Sequence, residues 1–383
     1  MEYKQFGSLP TPSYVFAEKE FRERIRSVRE ALGPEIRLVY AMKANPFLTD
    51  IALSEGAALE VCSPGEERIC ERTGAAGENL VLSGVNKDRE DFRRIIAKYG
   101  NAPVYTAESP LQLSMLEELG REKGLVLSVL LRVTSGNQFG MDPSDAEIAV
   151  RGRDTLQGVR LAGIHYFAGT QKRLKKTLSE IAEMDDFLAM LDEKYGYRAE
   201  IFEFGPGLYV TYFEGEDAAR EDTELSAVAE ALRNMRFQGK TAVELGRFLA
   251  APCGYYVTKI ADCKTNRDTL YCILDGGIHQ VNYYGQMMGM KVPRLLVKDG
   301  GSGPEKCMLC GSLCTTADIL VREAFLPEPA VGDRVVFTRC GAYSVTEGIS
   351  LFLSRDLPAI YTFDGVSFRK RRNQFNTEEL NYG

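Results

Sequence analysis

The sequence predicts an α/β protein, with a (β/α)8 barrel followed by a smaller β-rich domain. Short apolar segments rich in β-formers alternate with segments of helical periodicity up to Gly254, and beyond it the helical segments cease. The length of 383 residues also exceeds what one hydrophobic core usually organises. We therefore expect the barrel at residues 19–253 and the β-rich domain at residues 1–18 and 254–383.

The barrel prediction depends on eight strands and the helices between them. The predicted strands are residues 37–42, 57–61, 79–83, 103–106, 125–133, 159–166, 200–204 and 241–244. One spacer carries apolar residues at steps of three and four, which is typical of one face of a helix: Leu174, Leu178, Ile181, Met184, Leu188 and Leu191. A later spacer repeats the pattern with Leu225, Val228, Leu232 and Met235. Alternating strands and helices predict parallel βα units, and eight units predict a closed, TIM-like barrel.

The β-rich domain is predicted from short strands separated by Gly, Pro and Asp turns. These strands are residues 255–260, 269–274, 294–297, 319–324, 334–338 and 349–353. The segment around residues 11–16 is expected to add a strand to the same domain.

Composition narrows the class of protein. The chain is 44% hydrophobic and 26% charged, and its formal charge of −7 argues against a nucleic-acid partner. No apolar run of signal-peptide or membrane-span length is found, so a cytoplasmic protein without a membrane partner is expected. The nine cysteines are interpreted as thiols. With only two histidines, acid–base chemistry must rely on lysine, cysteine, tyrosine or carboxylates.

A lysine at the end of the first predicted strand is the most informative single residue. Burying an unpaired ammonium is costly, so Lys43 either extends to solvent at the strand end or serves as a nucleophilic amine, and the arrangement of the rest of the chain favours the amine. Barrel active sites form at the carboxyl ends of the strands. Those ends hold Lys43, Glu60, Arg132, His165, Phe167, Thr170, Gly205, Gly207, Glu244 and Arg247.

Part of this set is suited to a phosphate. Gly205 and Gly207 allow the backbone to approach an anion closely. Arg247 can bind a phosphate with its planar group of donors, and the Thr170 hydroxyl can add another donor.

The remaining residues are suited to a ring that carries an aldehyde. Phe167 offers a flat face for stacking, and Lys43 offers an amine for the aldehyde. Together with the phosphate site, this pattern favours pyridoxal phosphate as the cofactor. Glu244 would then keep the ring nitrogen protonated, which makes the ring an electron acceptor.

Five motifs resemble those of the fold-type III pyridoxal-phosphate decarboxylases, the family of ornithine and diaminopimelate decarboxylases. They are Tyr-Ala-Met-Lys-Ala-Asn-Pro at 40–46, Gly-Pro-Gly at 205–207, Glu-Leu-Gly-Arg at 244–247, Cys314 followed by Asp318, and Gly-Ala-Tyr at 341–343. The motifs follow the family's order and cover nearly the whole chain.

The resemblance implies an enzyme that removes the α-carboxylate of an amino acid as carbon dioxide. Lys43 would hold the cofactor and release it to the substrate amine, and Cys314 would return a proton to Cα. It also implies a homodimer with shared sites, in which Cys314 reaches the site of the other subunit. Glu60, Arg132 and Gly246 would line the cofactor, and Tyr343 would reach its phosphate.

Three departures from the family pattern concern the cofactor and the substrate. Phe167 stands where these decarboxylases have a stacking histidine, and Leu245 replaces a proline. Thr315 follows Cys314 where the family carries an acid that pairs with the substrate's distal amine. Without that acid, a desolvated distal ammonium would lose roughly 2–5 kcal/mol.

These departures predict a substrate that is not a free basic diamino acid. The substrate side is assigned to His165, Thr315 and Asp318. The motif variants also resemble biosynthetic members of the family, some of which act on an aminoacyl group held on a carrier protein. A carrier-bound substrate is therefore one expectation.

Three alternatives stay open at this point. An amino-acid racemase shares the architecture, and carbon dioxide release against loss of optical rotation would separate the two. A metal protein would instead use the paired cysteines, because such spacing can hold zinc or an iron–sulfur cluster; these are Cys307, Cys310, Cys314 and Cys340. A non-catalytic cofactor carrier would lack the second domain. The decarboxylase interpretation requires no metal.

Overall fold

The first strand of the chain, β1 (Ser13–Ala17), belongs to a mixed sheet, and the next eight strands close a parallel barrel. The barrel strands are β2 (Ile36–Ala41), β3 (Ala58–Val61), β4 (Leu80–Leu82), β5 (Val104–Ala107), β6 (Leu127–Val133), β7 (Val159–Phe167), β8 (Ile201–Gly205) and β9 (Lys240–Leu245). The computed structural model describes residues 1–300 and 303–382. The bounds of each predicted barrel strand agree with those of an observed strand to within two residues. The predicted barrel is therefore confirmed.

A helix follows each barrel strand as βα units require, and two further helices lie before the first barrel strand and after the last strand of the chain. The helices are α1 (Glu18–Leu32), α2 (Thr49–Ser54), α3 (Pro64–Thr73), α4 (Arg89–Tyr99), α5 (Pro110–Lys123), α6 (Pro143–Arg151), α7 (Leu174–Tyr195), α8 (Ala219–Arg233), α9 (Arg247–Ala250) and α10 (Glu378–Tyr382). Helices α3 and α5 begin in the same way. Ser63 and Ser109 accept a hydrogen bond from a backbone N–H of the first turn, and a proline follows each serine. The serine side chain gives a hydrogen-bond acceptor to one unpaired N–H of the first turn, and the proline has no N–H that needs one.

Inward-facing residues fill the floor of the barrel. Val39, Ala58, Val81 and Ala242 form one buried cluster, with Val104 packed against it. Because side chains alternate along a strand, the residues two positions further along β3 and β9 also face inward. Those positions are Glu60 and Glu244, which are therefore directed toward the barrel mouth.

The chain divides into two compact units, and the barrel accounts for one of them. That unit comprises Arg24–Tyr209 and Ala219–Phe248, and the other comprises Met1–Glu23, Val210–Ala218 and Leu249–Gly383.

The other unit is built on a mixed β-sheet. Its strands after the barrel are β10 (Gly254–Asn266), β11 (Thr269–Leu274), β12 (Leu295–Leu296), β13 (Pro304–Cys310), β14 (Ile319–Pro327), β15 (Arg334–Thr338), β16 (Ala359–Phe363) and β17 (Phe368–Arg372). The sheet runs β14-β13-β11-β10-β1-β16-β17, with β15 paired to β10 and β12. The N-terminal strand β1 lies centrally, antiparallel to β10 and parallel to β16.

One predicted strand of this unit is wrong. Residues 349–353 are not a strand, and a 3-10 turn covers Phe352–Ser354. Ile349 and Leu353 keep 56% and 48% of their surface exposed. The apolar run therefore lacks the buried face that a strand of a packed sheet would have. Strands β13, β16 and β17 were not predicted.

Candidate active site

Lys43 lies directly after β2, in the 3-10 turn Met42–Ala44. Two local hydrogen bonds stabilise the chain beyond it. The Tyr40 hydroxyl donates to the Asn45 carbonyl at 2.9 Å, and the Asn45 side chain accepts from the Phe47 N–H at 3.0 Å. Met42 and Ala44 are buried, and the Lys43 side chain is 32% exposed. The sequence around Lys43 thus presents its amine at the barrel mouth.

The Lys43 amine contacts two buried carboxyl groups. Its Nζ lies 2.7 Å from Glu60 Oε2 and 3.3 Å from Glu244 Oε1. Burial, and next the neighbouring Glu244, raise the pKa of Glu60. Burial alone would also raise the pKa of Glu244. The Lys43 ammonium and a hydrogen bond from Glu60 outweigh burial, so the pKa of Glu244 is lowered. Glu244 is therefore the carboxylate that stays ionised.

A ring face and a thiol complete the surroundings of Lys43. The Lys43 Nζ lies 5.7 Å from the centre of the Phe167 ring and 3.6 Å from Cys62 Sγ. Phe167 in turn packs on Gly205. A Cβ at Gly205 would come within 2.4 Å of the Phe167 ring. Phe167 and Gly205 therefore form a contiguous wall beside the lysine.

The predicted phosphate residues lie on neighbouring strand ends. Arg247 is 8% exposed, and its Nε donates to Thr170 Oγ1 at 3.2 Å. Gly207 has a φ of +61°, and a Cβ there would meet the Gly169 carbonyl oxygen at 2.0 Å. A Cβ at Gly246 would approach the Ala41 carbonyl oxygen to 3.0 Å. The barrel thus brings together the arginine, the hydroxyl and the glycines that the sequence predicts to bind the cofactor.

Arg132 and His165 lie deeper in the same mouth. Arg132 is paired with Glu108 through a 2.8 Å Nη1–Oε1 contact, and both side chains are almost fully buried. His165 is completely buried, and its Nε2 lies 3.3 Å from Glu244 Oε2. Burial, with the positive charge of Arg132 next, lowers the pKa of His165 to about 3. The imidazole is therefore neutral at neutral pH.

Four predicted residues belong to the β-rich unit. Cys314 and Thr315 are exposed on the loop after β13, and Thr315 Oγ1 accepts from the Ala317 N–H at 3.3 Å. The Asp318 carboxylate is buried and accepts the backbone N–H groups of Ile278 and Leu313 at 2.8 and 2.7 Å. These two hydrogen bonds fix the loop that carries Cys314.

Tyr343 is half-buried and adopts a positive φ of 67°. Its carbonyl oxygen accepts the N–H groups of Thr346 and Glu347, both at 2.9 Å. A non-glycine residue in this conformation costs conformational energy that the surrounding structure must offset.

The cysteines do not form the metal cluster that was left open. All nine are free thiols. Cys307 and Cys310 lie on β13, Cys314 lies on the exposed loop after it, and Cys340 Sγ lies 3.0 Å from the Tyr283 hydroxyl. Within residues 1–300 and 303–382, the three-residue group with metal-type donors contains no cysteine and consists of His165, Glu203 and Glu244.

The structure adds three site residues that the sequence analysis missed. Cys62 contacts Lys43, Glu108 pairs with Arg132, and Glu203 lies beside His165 and Glu244. Cys62 and Glu108 each follow the last residue of a barrel strand, so the rule of strand ends could have found them. Glu203 lies inside β8, and no motif marks it.

Comparison with known proteins identifies the family. A model of the family described as "Pyridoxal-dependent decarboxylase, pyridoxal binding domain" matches residues 18–251. The chain therefore belongs to the pyridoxal-dependent decarboxylases. The predicted cofactor, pyridoxal phosphate, and the predicted reaction class, amino-acid decarboxylation, are confirmed, and the racemase alternative is not favoured.

Individual relatives cover almost the whole chain. The L-glutamyl-[BtrI acyl-carrier protein] decarboxylase of Niallia circulans is 28% identical over 376 residues, which is 91% of this chain and 87% of the relative. The diaminopimelate decarboxylase of Methanocaldococcus jannaschii is 24% identical over 383 residues, covering 90% of this chain and 83% of its own.

Solved structures show the same fold. The crystal structure of diaminopimelate decarboxylase from M. jannaschii superposes with a TM-score of 0.87 at 22% identity, covering 98% of this chain and 92% of that one. The lysine/ornithine decarboxylase of Vibrio vulnificus complexed with cadaverine gives 0.82 at 20% identity, with 95% and 97% covered. Among the described residues, no helix combines the length and apolar character needed to cross a bilayer.

The donor set of the barrel mouth fits pyridoxal phosphate. Lys43 would supply an amine for the aldehyde, and the buried Glu244 would supply an ionised carboxylate for the ring nitrogen. Arg247 and Thr170 would supply donors for the phosphate, and Phe167 would supply an aromatic face. The aldehyde, the ring nitrogen, the ring face and the phosphate would thus each have a matching side chain at the same end of the barrel.

Proposed function

We propose that this enzyme decarboxylates an aminoacyl group whose distal end carries no charge, with a carrier-bound glutamyl group as the favoured substrate. The observation that carries this proposal is Thr315, an uncharged residue directly after Cys314. A carboxylate there would pair with the distal ammonium of a diamino acid. Its absence leaves that ammonium poorly paired. The Niallia circulans relative, whose name specifies a glutamyl group on a carrier protein, supports the same choice.

The chemistry fixes how such a glutamyl group must be attached. Decarboxylation requires a free α-carboxylate, so the thioester must use the γ-carboxyl group. The products would be carbon dioxide and a 4-aminobutyryl thioester. A γ-thioester is uncharged, and this agrees with a distal pocket that has no acidic residue at Thr315.

We propose specific roles for the barrel residues. Lys43 binds the cofactor, Glu244 accepts a hydrogen bond from the ring nitrogen, and Phe167 stacks on the ring. Arg247, Thr170, Gly205, Gly207 and Gly246 surround the phosphate. When bound, pyridoxal phosphate supplies a ring that takes up the electron pair left by the departing carboxylate.

Further roles concern charge and the substrate. Glu60 shares the Lys43 ammonium with Glu244 at 2.7 Å, so it orients the amine before the cofactor is bound. Arg132, which Glu108 holds in place, lines the cofactor pocket. His165, Thr315 and Asp318 are assigned to the substrate side, the last through its hold on the Cys314 loop.

We also propose a homodimer in which Cys314 and Tyr343 complete the site of the other subunit. Cys314 would donate the proton that replaces the carboxylate at Cα, and Tyr343 would contact the phosphate. The exposure of Cys314 on its loop supports a role outside its own packed unit. The functional division is proposed as residues 19–253 for cofactor binding, with 1–18 and 254–383 as the β-rich domain. A cytoplasmic location, where nine thiols stay reduced, is part of the same proposal.

A comparison of substrates in parallel assays tests the proposal. Purified enzyme with added pyridoxal phosphate is given glutamate as the γ-thioester of a phosphopantetheinylated carrier protein or of N-acetylcysteamine, and carbon dioxide is measured. Free glutamate, lysine, ornithine and diaminopimelate are assayed in parallel. We expect release from a γ-glutamyl thioester and at most weak release from the free amino acids. Efficient turnover of a free diamino acid would refute the substrate assignment. The variant Lys43→Ala controls for background release.

A further inference from the structure

Two buried side chains on adjacent barrel strands each have one polar atom without a hydrogen-bond partner. His165 on β7 and Glu203 on β8 are register partners, and they are 0% and 2% exposed. Among the described residues, His165 Nδ1 and Glu203 Oε1 are both fully enclosed and neither makes a hydrogen bond. An unsatisfied buried polar atom is destabilising, so two such atoms on adjacent strands require an explanation.

The geometry allows these two groups to interact. Directly paired residues of parallel strands project to the same face of the sheet, here the barrel interior. One ring nitrogen of His165 and one carboxyl oxygen each of Glu203 and Glu244 lie within 4.8 Å of one another. His165 Nε2 already lies 3.3 Å from Glu244 Oε2, which leaves Nδ1 as the unsatisfied nitrogen. A rotation of the Glu203 carboxyl group is a small change compared with a backbone movement.

The protonation states match this pairing. Burial raises the pKa of Glu203 well above its ordinary value, and the neighbouring Glu244 and Glu60 act in the same direction. Burial holds His165 neutral. A protonated carboxyl group has one O–H to donate, and a neutral imidazole has one nitrogen that accepts.

We propose that Glu203 is a positioning residue that donates its carboxyl O–H to Nδ1 of His165. This hydrogen bond fixes the tautomer in which Nε2 carries the proton and donates to Glu244. The two hydrogen bonds that link Glu203, His165 and Glu244 then hold the Glu244 carboxylate in one orientation without adding a charge beside it. The consequence for the cofactor rests on the proposed role of Glu244, whereas the hydrogen bond itself does not.

A metal ion is the competing use of the same three side chains. His, Glu and Glu are suitable ligands for a divalent cation. Two observations argue against it. The Lys43 ammonium already lies 3.3 Å from Glu244, and a second cation there would be repelled. Burial beside two other carboxyl groups also favours the protonated form of Glu203, whereas a metal needs the carboxylate.

The two histidines of the chain make the tautomer directly measurable. Protein labelled with 15N-histidine gives signals from His165 and His279 alone, and the variant His279→Gln assigns them. In cofactor-free protein we expect the His165 signals of a neutral ring with Nε2 protonated and Nδ1 unprotonated. A ring protonated on Nδ1, a charged ring, or a metal-bound nitrogen with stoichiometric metal in the purified protein would overturn the proposal.

A pair of substitutions separates the hydrogen bond from mere packing. Glu203→Gln keeps a donor of the same shape, and Glu203→Leu keeps the volume without a donor. We expect Glu203→Gln to preserve the tautomer, and Glu203→Leu to give a mixture of tautomers and to lose the cofactor about tenfold faster. Thermal melting of both variants shows whether each is folded. If folded Glu203→Leu keeps the single tautomer and the original cofactor release rate, the proposal is wrong.

This test does not depend on the substrate. The 15N signals are read without turnover, so a wrong substrate assignment would leave them unchanged. A wrong tautomer with intact decarboxylation would reject the role of Glu203 alone.

Discussion

Removing the Glu108 carboxylate should destabilise the barrel strongly, whereas removing it together with the Arg132 charge should not. The pair is joined at 2.8 Å, and Glu108 Oε2 also accepts the Gly140 N–H at 3.2 Å. Arg132 and Glu108 are 8% and 5% exposed. Glu108→Leu therefore leaves a buried guanidinium without its counter-charge, and it also removes an anchor of the loop after β6.

The magnitude follows from burial and distance. Two unit charges 2.8 Å apart attract by about 6 kcal/mol at an effective dielectric constant of about 20, before desolvation is subtracted. Breaking a buried pair from one side typically costs about 3–5 kcal/mol. Replacing both partners by apolar residues of similar volume is often close to neutral. We therefore expect Glu108→Leu or Arg132→Met to cost about 3–5 kcal/mol, and the double variant about 1 kcal/mol.

Equilibrium urea unfolding measures these differences. The chain has no tryptophan, so far-ultraviolet circular dichroism is the suitable signal. Glu118→Ala serves as the matched control. It breaks a pair with Arg89 at 2.6 Å in which both side chains are exposed, and it should cost less than about 1 kcal/mol. A Glu108→Leu cost equal to that of the control, or a double variant as unstable as the sum of the singles, would refute the reasoning.

Three further predictions concern the dimer, acid stability and the Gly207 turn. Equal mixing of inactive Lys43→Ala and Cys314→Ala subunits should restore about one quarter of wild-type activity if sites are shared, and no activity if each subunit acts alone. Burial lowers the pKa of His165 from 6.5 to about 3, so the contribution of the neutral imidazole to stability is complete above pH 6.5 and is lost as the pH falls toward 3. In His165→Gln, the measured free energy of unfolding should therefore change less with pH between 6.5 and 3 than in the wild type. Gly207→Ala should weaken cofactor retention and destabilise the fold by about 2 kcal/mol more than the control Gly196→Ala. Both glycines have a φ near +60°, but only a Cβ at position 207 would meet backbone atoms within 4 Å.

The barrel could be predicted from the sequence because its strands carry a regular signal. Parallel strands covered on both sides read as short apolar runs, and the helices between them have an apolar face of helical period. The β-rich unit has a weaker signal. The exposed apolar run at 349–353 resembled a strand, whereas the basic edge strand β17 did not. Strand pairing there depends on neighbours that are distant in sequence.

The candidate site was predictable to the extent that it follows the ends of strands. Lys43, Glu60 and Glu244 converge because β2 pairs with both β3 and β9, and all three strands end at the same mouth. Glu203 escaped prediction because a buried carboxyl group inside a strand has no sequence pattern of its own. Its presence becomes meaningful only when the register places it beside His165.

The charges inside the barrel explain why this set of residues favours a cationic ring. Glu60, Glu203 and Glu244 face one another, and Lys43 is the cation in contact with two of them. The burial of Glu203 keeps its proton in place, and His165 is neutral. The pKa of Glu60 is raised and Glu60 donates a hydrogen bond to Glu244, so Glu244 holds the remaining negative charge, which the Lys43 ammonium balances. A protonated ring nitrogen at Glu244 would pair with that same charge, so the barrel interior is suited to a cationic ring.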